Sequence, residues 1–169
     1  NKDQIKCMED FRLFAISKLN SFEGEQFHNV TNFVVNMNEE IYKYSSISNA
    51  DFLKIVSENV YQQINETMIR GWRFWAQFLG FGYINNMVFL PNSYIYVKNV
   101  LRLMELEKMK EYKIDDFMTH FSQYGKILSN NLQPERNMNI ALSSALRELH
   151  DNGTIELKYR SDAENRWIL

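Results

Sequence analysis

The stretch "WRFWAQFLGFGYINNMVFLP", residues 72–91, changes its period halfway along. Up to Leu79, the positions Ile64, Met68, Trp72, Trp75 and Leu79 step by four, four, three and four. That is the apolar stripe of an amphipathic helix. Gly80 and Gly82 end the helix, because glycine readily takes the left-handed backbone of a helix terminus. "GYINNMVFLP" then reads as a tight hairpin, with Asn85 and Asn86 suited to a two-residue left-handed turn. Pro91 has no amide N–H and closes the second strand. The same order returns in "ALRELHDNGTIELKYRSDAENRWIL", residues 145–169. There Gly153 ends a helix. Ile155, Leu157 and Tyr159 alternate with Glu156, Lys158 and Arg160, and a polar turn leads to a return strand ending in Trp167 and Leu169.

Working outward, Ile5, Met8, Phe11 or Arg12, Ala15 and Leu19 predict a first helix over 3–20. Phe27, Val30, Val34, Met37 and Ile41 predict a second over 24–44. Ser48 or Asn49 caps a short third helix that carries Phe52, Ile55, Val56 and Val60. Past Pro91 the pattern starts again. Asn92 or Ser93 caps a helix with Val100, Leu103 and Leu106 on one face. "EYKI" (111–114) reads as a brief strand, and Asp115 caps a helix bearing Phe117, Phe121 and Tyr124. Pro134 opens the last helix, which turns Met138, Leu142, Ala145 and Leu149 inward. The expected fold is mainly α with small β-hairpins: an N-terminal helix over 1–23, then one unit over 24–91 and another over 92–169.

Composition narrows the class. A hydrophobic content of 45% and an aromatic content of 14%, with only 6 glycines and 2 prolines, describe a chain with a real core. The net charge of −2 gives no bulk attraction for a polyanion. The single cysteine, Cys7, excludes an internal disulfide framework and fits a reducing, cytoplasmic setting. No apolar run approaches the roughly 18–20 residues that span a bilayer, and no signal peptide is evident, so no membrane partner is expected. Starting at Asn1, the chain is expected to be a piece of a longer protein. Its Asn-, Lys- and Ile-rich usage fits an AT-rich bacterial genome.

With residues 115–128 as a positioning helix, 134–150 as a third helix and 153–169 as a hairpin behind it, the chain resembles the tandem winged helix-turn-helix superfamily. Residues 72–91 resemble the third helix and wing of a preceding copy. The resemblance covers about 24–169. Proteins of this kind include transcription factors, replication initiators, restriction and defence components, and scaffolds of chromosome-organising complexes. The resemblance implies a third helix in the major groove and a wing on the DNA backbone.

On that basis the second unit's DNA-facing residues are Arg136, Asn137, Asn139, Ser143 and Arg147 on the third helix, with Ser144 beside them. Lys158, Arg160 and Arg166 belong to the wing. Arginine suits guanine edges or phosphate, asparagine suits adenine, and serine suits phosphate. Against this, Glu135, Glu148, Asp151, Glu156, Asp162 and Glu164 cancel the cations of the same segment, whereas phosphate contacts dominate DNA affinity. The first unit is aromatic instead. Trp72, Phe74, Trp75 and Phe78 form either packing or a protein interface, since Trp, Tyr and Arg dominate interface hot spots. Two readings follow. One is a non-enzymatic bacterial module that binds duplex DNA. The other is a scaffold of tandem winged helices that holds a second copy or other protein subunits without DNA contact.

Catalytic signatures are missing from the sequence. His28, His120 and His150 lie far apart without metal-ligand spacing, so no metal is expected. Cys7 has no basic neighbour to activate it. "GFG" at 80–82 follows a helix and precedes a strand, the reverse of a phosphate-cradling loop. Asp115 and Asp116 suit a helix start. "NVT" (29–31) and "NET" (65–67) match the glycosylation pattern without any sign of secretion. Neither a cofactor nor a small-molecule substrate is expected.

Overall fold

A computed structural model describes residues 5–43, 48–60, 62–85, 88–130 and 137–159. Among these residues the chain is mainly helical, with one small antiparallel hairpin. Helix α1 runs Met8–Leu19 and passes into a short 3-10 turn, Asn20–Phe22. Asp10 reaches back to the backbone N–H groups of Lys6 and Cys7, closing the first turn of α1. The expected helix over 24–44 is broken in two. Helix α2 is Gln26–Asn36 and α3 is Glu40–Lys43, because Asn38 takes a left-handed backbone with φ 49°. Ser48 caps α4, Asn49–Val60, by accepting the Asp51 N–H at 3.2 Å.

Helix α5, Glu66–Leu79, begins with Asn65 accepting the Met68 N–H at 3.0 Å and ends at Gly80, φ 85°. The Phe81 N–H donates to the Ala76 carbonyl and the Gly80 N–H to the Gln77 carbonyl, which satisfies the last turn. The buried stripe of α5 is Ile69, Trp72, Ala76 and Leu79, with Arg73 beside it. This is offset from the stripe expected through Met68 and Trp75, both of which are exposed. Strands β1, Gly82–Asn85, and β2, Val88–Pro91, pair with Asn85 opposite Val88. The two-residue connection is therefore 86–87, one position later than expected, and it lies outside the described residues.

The next helix follows without a linker. The Asn92 N–H and the Ser93 hydroxyl both donate to the Phe81 carbonyl, and the Tyr96 N–H donates to the Gly80 carbonyl. Helix α6, Tyr94–Leu103, is thus anchored on the end of α5. A β-carbon on Gly80 would come within 2.6 Å of the Ile95 Cβ, so only glycine admits this approach. Residues 111–113 form no strand, contrary to the reading of "EYKI". Helix α7, Ile114–Ser129, starts one residue before Asp115, which sits in its first turn rather than capping it. Gly125 departs from helical backbone inside α7, and the Phe121 ring packs where a β-carbon on it would be. Helix α8 is Ile140–Asp151, capped by Asn139, so it starts six positions beyond the expected Pro134. Pro134 lies outside the described residues.

Gly153, φ 74°, ends α8 as expected: its N–H donates to the His150 carbonyl and the Thr154 N–H to Leu149. Ile155 and Leu157 pack on the core, but Tyr159 is 76% exposed and residues 156–159 form no strand. The expected return strand with Trp167 and Leu169 lies outside the described residues.

One hydrophobic core joins both halves, from Ile16 on α1 to Leu149 on α8. Helix α6 packs most extensively on α8, and Tyr96, Val97 and Val100 of α6 and Ala141, Ala145 and Leu149 of α8 are all buried. Helices α1 and α2 also lie across the second half. Asn20 donates to the Gln123 carbonyl (2.7 Å) and Asn32 to Ile127 (3.1 Å). Asn38 Oδ1 accepts the Ile140 N–H (2.9 Å), and Lys126 pairs with Glu23 (2.6 Å). His28 is buried beside this seam, and burial depresses its pKa, although Glu23 partly opposes the shift. No helix among the described residues is long and apolar enough to cross a membrane.

Candidate functional site

The polar face expected on the last helix is mostly committed to the fold. Asn139 is buried. Its Oδ1 accepts the Leu142 N–H (2.9 Å), and its Nδ2 donates to the Leu128 carbonyl (3.1 Å) and to Asn36 Oδ1 (3.2 Å). A side chain with all these partners is a helix cap and a clasp to α2, and has no donor left for an adenine edge. Ser143 is also buried, and its hydroxyl turns back to the Ile140 carbonyl, as does that of Ser144. These placements correct the expectation that Asn139 and Ser143 lie on an exposed face. The physical reason is that α8 starts later than Pro134, which makes Asn139 a cap rather than an interior residue.

Lys158 is exposed but paired. Its ammonium lies 2.7 Å from Glu111 and 3.4 Å from Glu156, and the hydrogen bond to Glu111 raises its pKa. Asn137 and Arg147 are exposed, each with a partner of its own. Arg136, Arg160 and Arg166 lie outside the described residues. Of the eight residues expected on DNA, the structure thus shows two on the surface, two buried, one held by carboxylates, and three outside its compass.

The aromatic set on α5 divides differently. Trp72 is only 5% exposed: its indole N–H donates to Thr31 (2.9 Å), its ring stacks on Phe52, and the Phe89 ring lies tilted against it. It belongs to the core, which is the packing alternative of the two expected for it and takes it off the interface set. Buried Arg73 lies over the Phe52 ring, 5.4 Å from the centroid, and burial lowers its pKa. Phe74, at 63%, and Trp75, at 42%, face outward in edge-on contact. Trp75 in turn meets Phe78, and Phe78 meets Phe11 of α1. Arg12 steadies this row, donating to the Phe78 carbonyl at 2.7 Å with its guanidinium 5.2 Å from the ring centroid. Beside the row, Phe27, Ile64, Met68 and Trp75 line a shallow apolar cleft of about 190 Å³.

Phe11 or Arg12 is expected on the apolar stripe of the first helix; that both meet Phe78 is not legible in local spacing, because they sit on another helix. Among the described residues no group of three or more His, Cys, Asp or Glu is placed to hold a metal ion.

A protein-family model described as DpdG-like matches residues 43–163, well over half of the chain. No curated protein and no solved structure matches it significantly.

Proposed function

We propose that this chain, which belongs to the DpdG-like family, is a non-enzymatic protein-interaction module that seats a partner protein on the aromatic row of α5. The observation that carries this reading is the outward pair Phe74 and Trp75, continuous with Phe78 and Phe11 and bordered by the apolar cleft. Large aromatics left exposed beside a groove are the usual anchors of an interface. Packing between the halves does not account for them, since the shared core uses the opposite stripe of α5. A reducing, cytoplasmic setting fits the lone cysteine.

The test is a pair of charge insertions. The chain purified from its own cells should elute as a defined complex by size-exclusion chromatography with light scattering. Phe74→Glu with Trp75→Glu should reduce it to monomer with the melting temperature nearly unchanged, as for surface substitutions. A wild-type chain that elutes as a bare monomer from those cells sinks the reading.

DNA binding is the second reading, favoured by exposed Asn137 just before α8 and exposed Arg147 within it. A mobility shift on mixed duplex DNA at low salt decides it. Binding that survives Arg147→Glu excludes the α8 face.

A further inference from the structure

A second site lies away from the aromatic row. A pocket of about 430 Å³ opens between α2 and the end of α4, walled by Asn29, Asn32, Asn36 and Asn59. Every one of these amides spends its nitrogen on a backbone carbonyl. Asn29 donates to Gly24 (2.8 Å), Asn32 to Ile127 (3.1 Å), Asn36 to Asn32 (2.8 Å) and Asn59 to Ile55 (2.8 Å). A carbonyl accepts only donors, so these contacts fix which end of each side chain is oxygen. Asn36 Oδ1 is taken by Asn139. The oxygens of Asn29, Asn32 and Asn59 accept no hydrogen bond among the described residues. Gln62 repeats the pattern next to Asn29: it donates to the same Gly24 carbonyl at 3.3 Å, and its Oε1 is buried without a partner.

The wall therefore offers acceptors, and among its described residues there is no Lys, Arg or His. Helix α4 ends at Val60, in the wall, and its last carbonyls add partial negative charge there. Phe33, Met37 and Val60 supply the apolar remainder. We propose that this pocket binds an organic cation of the alkylguanidinium class, its N–H donors on the asparagine oxygens and its hydrocarbon along Phe33 and Val60. A guanidinium is more weakly hydrated than an ammonium and presents five donors in one plane, which suits neutral oxygens. The volume falls within the range of small-ligand sites, roughly 300–1,000 Å³.

Calorimetry with agmatine in sodium buffer tests the site. Saturable one-to-one binding is expected, stronger than that of butylamine. Asn29→Ala and Asn59→Ala should each weaken it about tenfold, the effect of losing one hydrogen bond to a charged group. Asn29→Asp should strengthen it. Asn59 is exposed at a helix end, so its truncation leaves the core intact, and a thermal melt of each variant verifies folding. A Gly-Arg-Gly peptide as second titrant separates the sources: tighter binding than agmatine marks a partner's arginine, and weaker binding a free guanidine. Absence of saturable agmatine binding overturns the proposal. So does full competition by equimolar potassium, or affinity unchanged in both alanine variants.

Discussion

Helices α5 and α8 are built to one plan and put to opposite uses. Each opens with an asparagine whose side chain accepts the N–H three residues on, and each closes on a left-handed glycine. Between those ends they part. Helix α8 buries Ala141, Leu142, Ala145, Leu146 and Leu149 and turns polar side chains outward. Helix α5 buries one apolar stripe and leaves a second, Phe74 and Trp75, in solvent. A helix with a single apolar stripe is explained by its core. A helix with two has one to spare, and that surplus is what makes α5 the candidate docking element.

The termini provide the sharpest way to break this comparison. Gly80→Ala should cost about 4 kcal/mol, combining a left-handed alanine with overlap on Ile95 and Tyr96. Gly153→Ala meets nothing within 4 Å and should cost only about 1 kcal/mol, the backbone term alone. Urea unfolding of both variants measures the gap. Equal losses would mean that the α5 terminus is not the tight joint on which α6 is anchored.

The caps come next. Asn139→Ala removes a cap and also strands the Leu128 carbonyl and Asn36 Oδ1, so about 3 kcal/mol is expected. Asn65→Ala removes a cap alone and should cost about 1 kcal/mol. Similar values for the two would return Asn139 to the list of surface residues available for recognition.

The smallest effect is a pH dependence at the seam. Burial lowers the His28 pKa in the folded chain, so the unfolded chain takes up the proton first as pH falls below about 6.5. Stability contributed by neutral His28 is present above that pH and declines below it. Melting temperatures at pH 7.5 and 5.5 should therefore differ less for His28→Gln than for the wild-type chain. An unchanged difference would show that the ring titrates freely.

Much of the fold was legible because it obeys local rules. Gly80 and Gly153 announced their helix ends, Ser48 its cap, and Leu142, Ala145 and Leu149 the buried side of α8. The failures have physical causes too. In α5 the apolar residues surround the helix, so periodicity alone could not tell the Trp72 side from the Trp75 side. In α2, Asn38 stops the helix through its own backbone angle, which an unbroken apolar stripe conceals. The site suffered most, because asparagine has the same face value as a base reader, a cap or a clasp. Only the neighbours of Asn139 distinguish these roles, and they lie on α2 and at the end of α7.

The asparagine seam also has a history written into its spacing. The bonds Asn20–Gln123, Glu23–Lys126, Asn32–Ile127, Asn36–Asn139 and Asn38–Ile140 all join positions between 95 and 103 residues apart. At about 5–20 residues per second, a ribosome needs roughly 5–20 s to deliver the second partner after the first. Closing so long a loop is slow and comes late. Helices α1 and α2 are thus made well before the segments that clasp them.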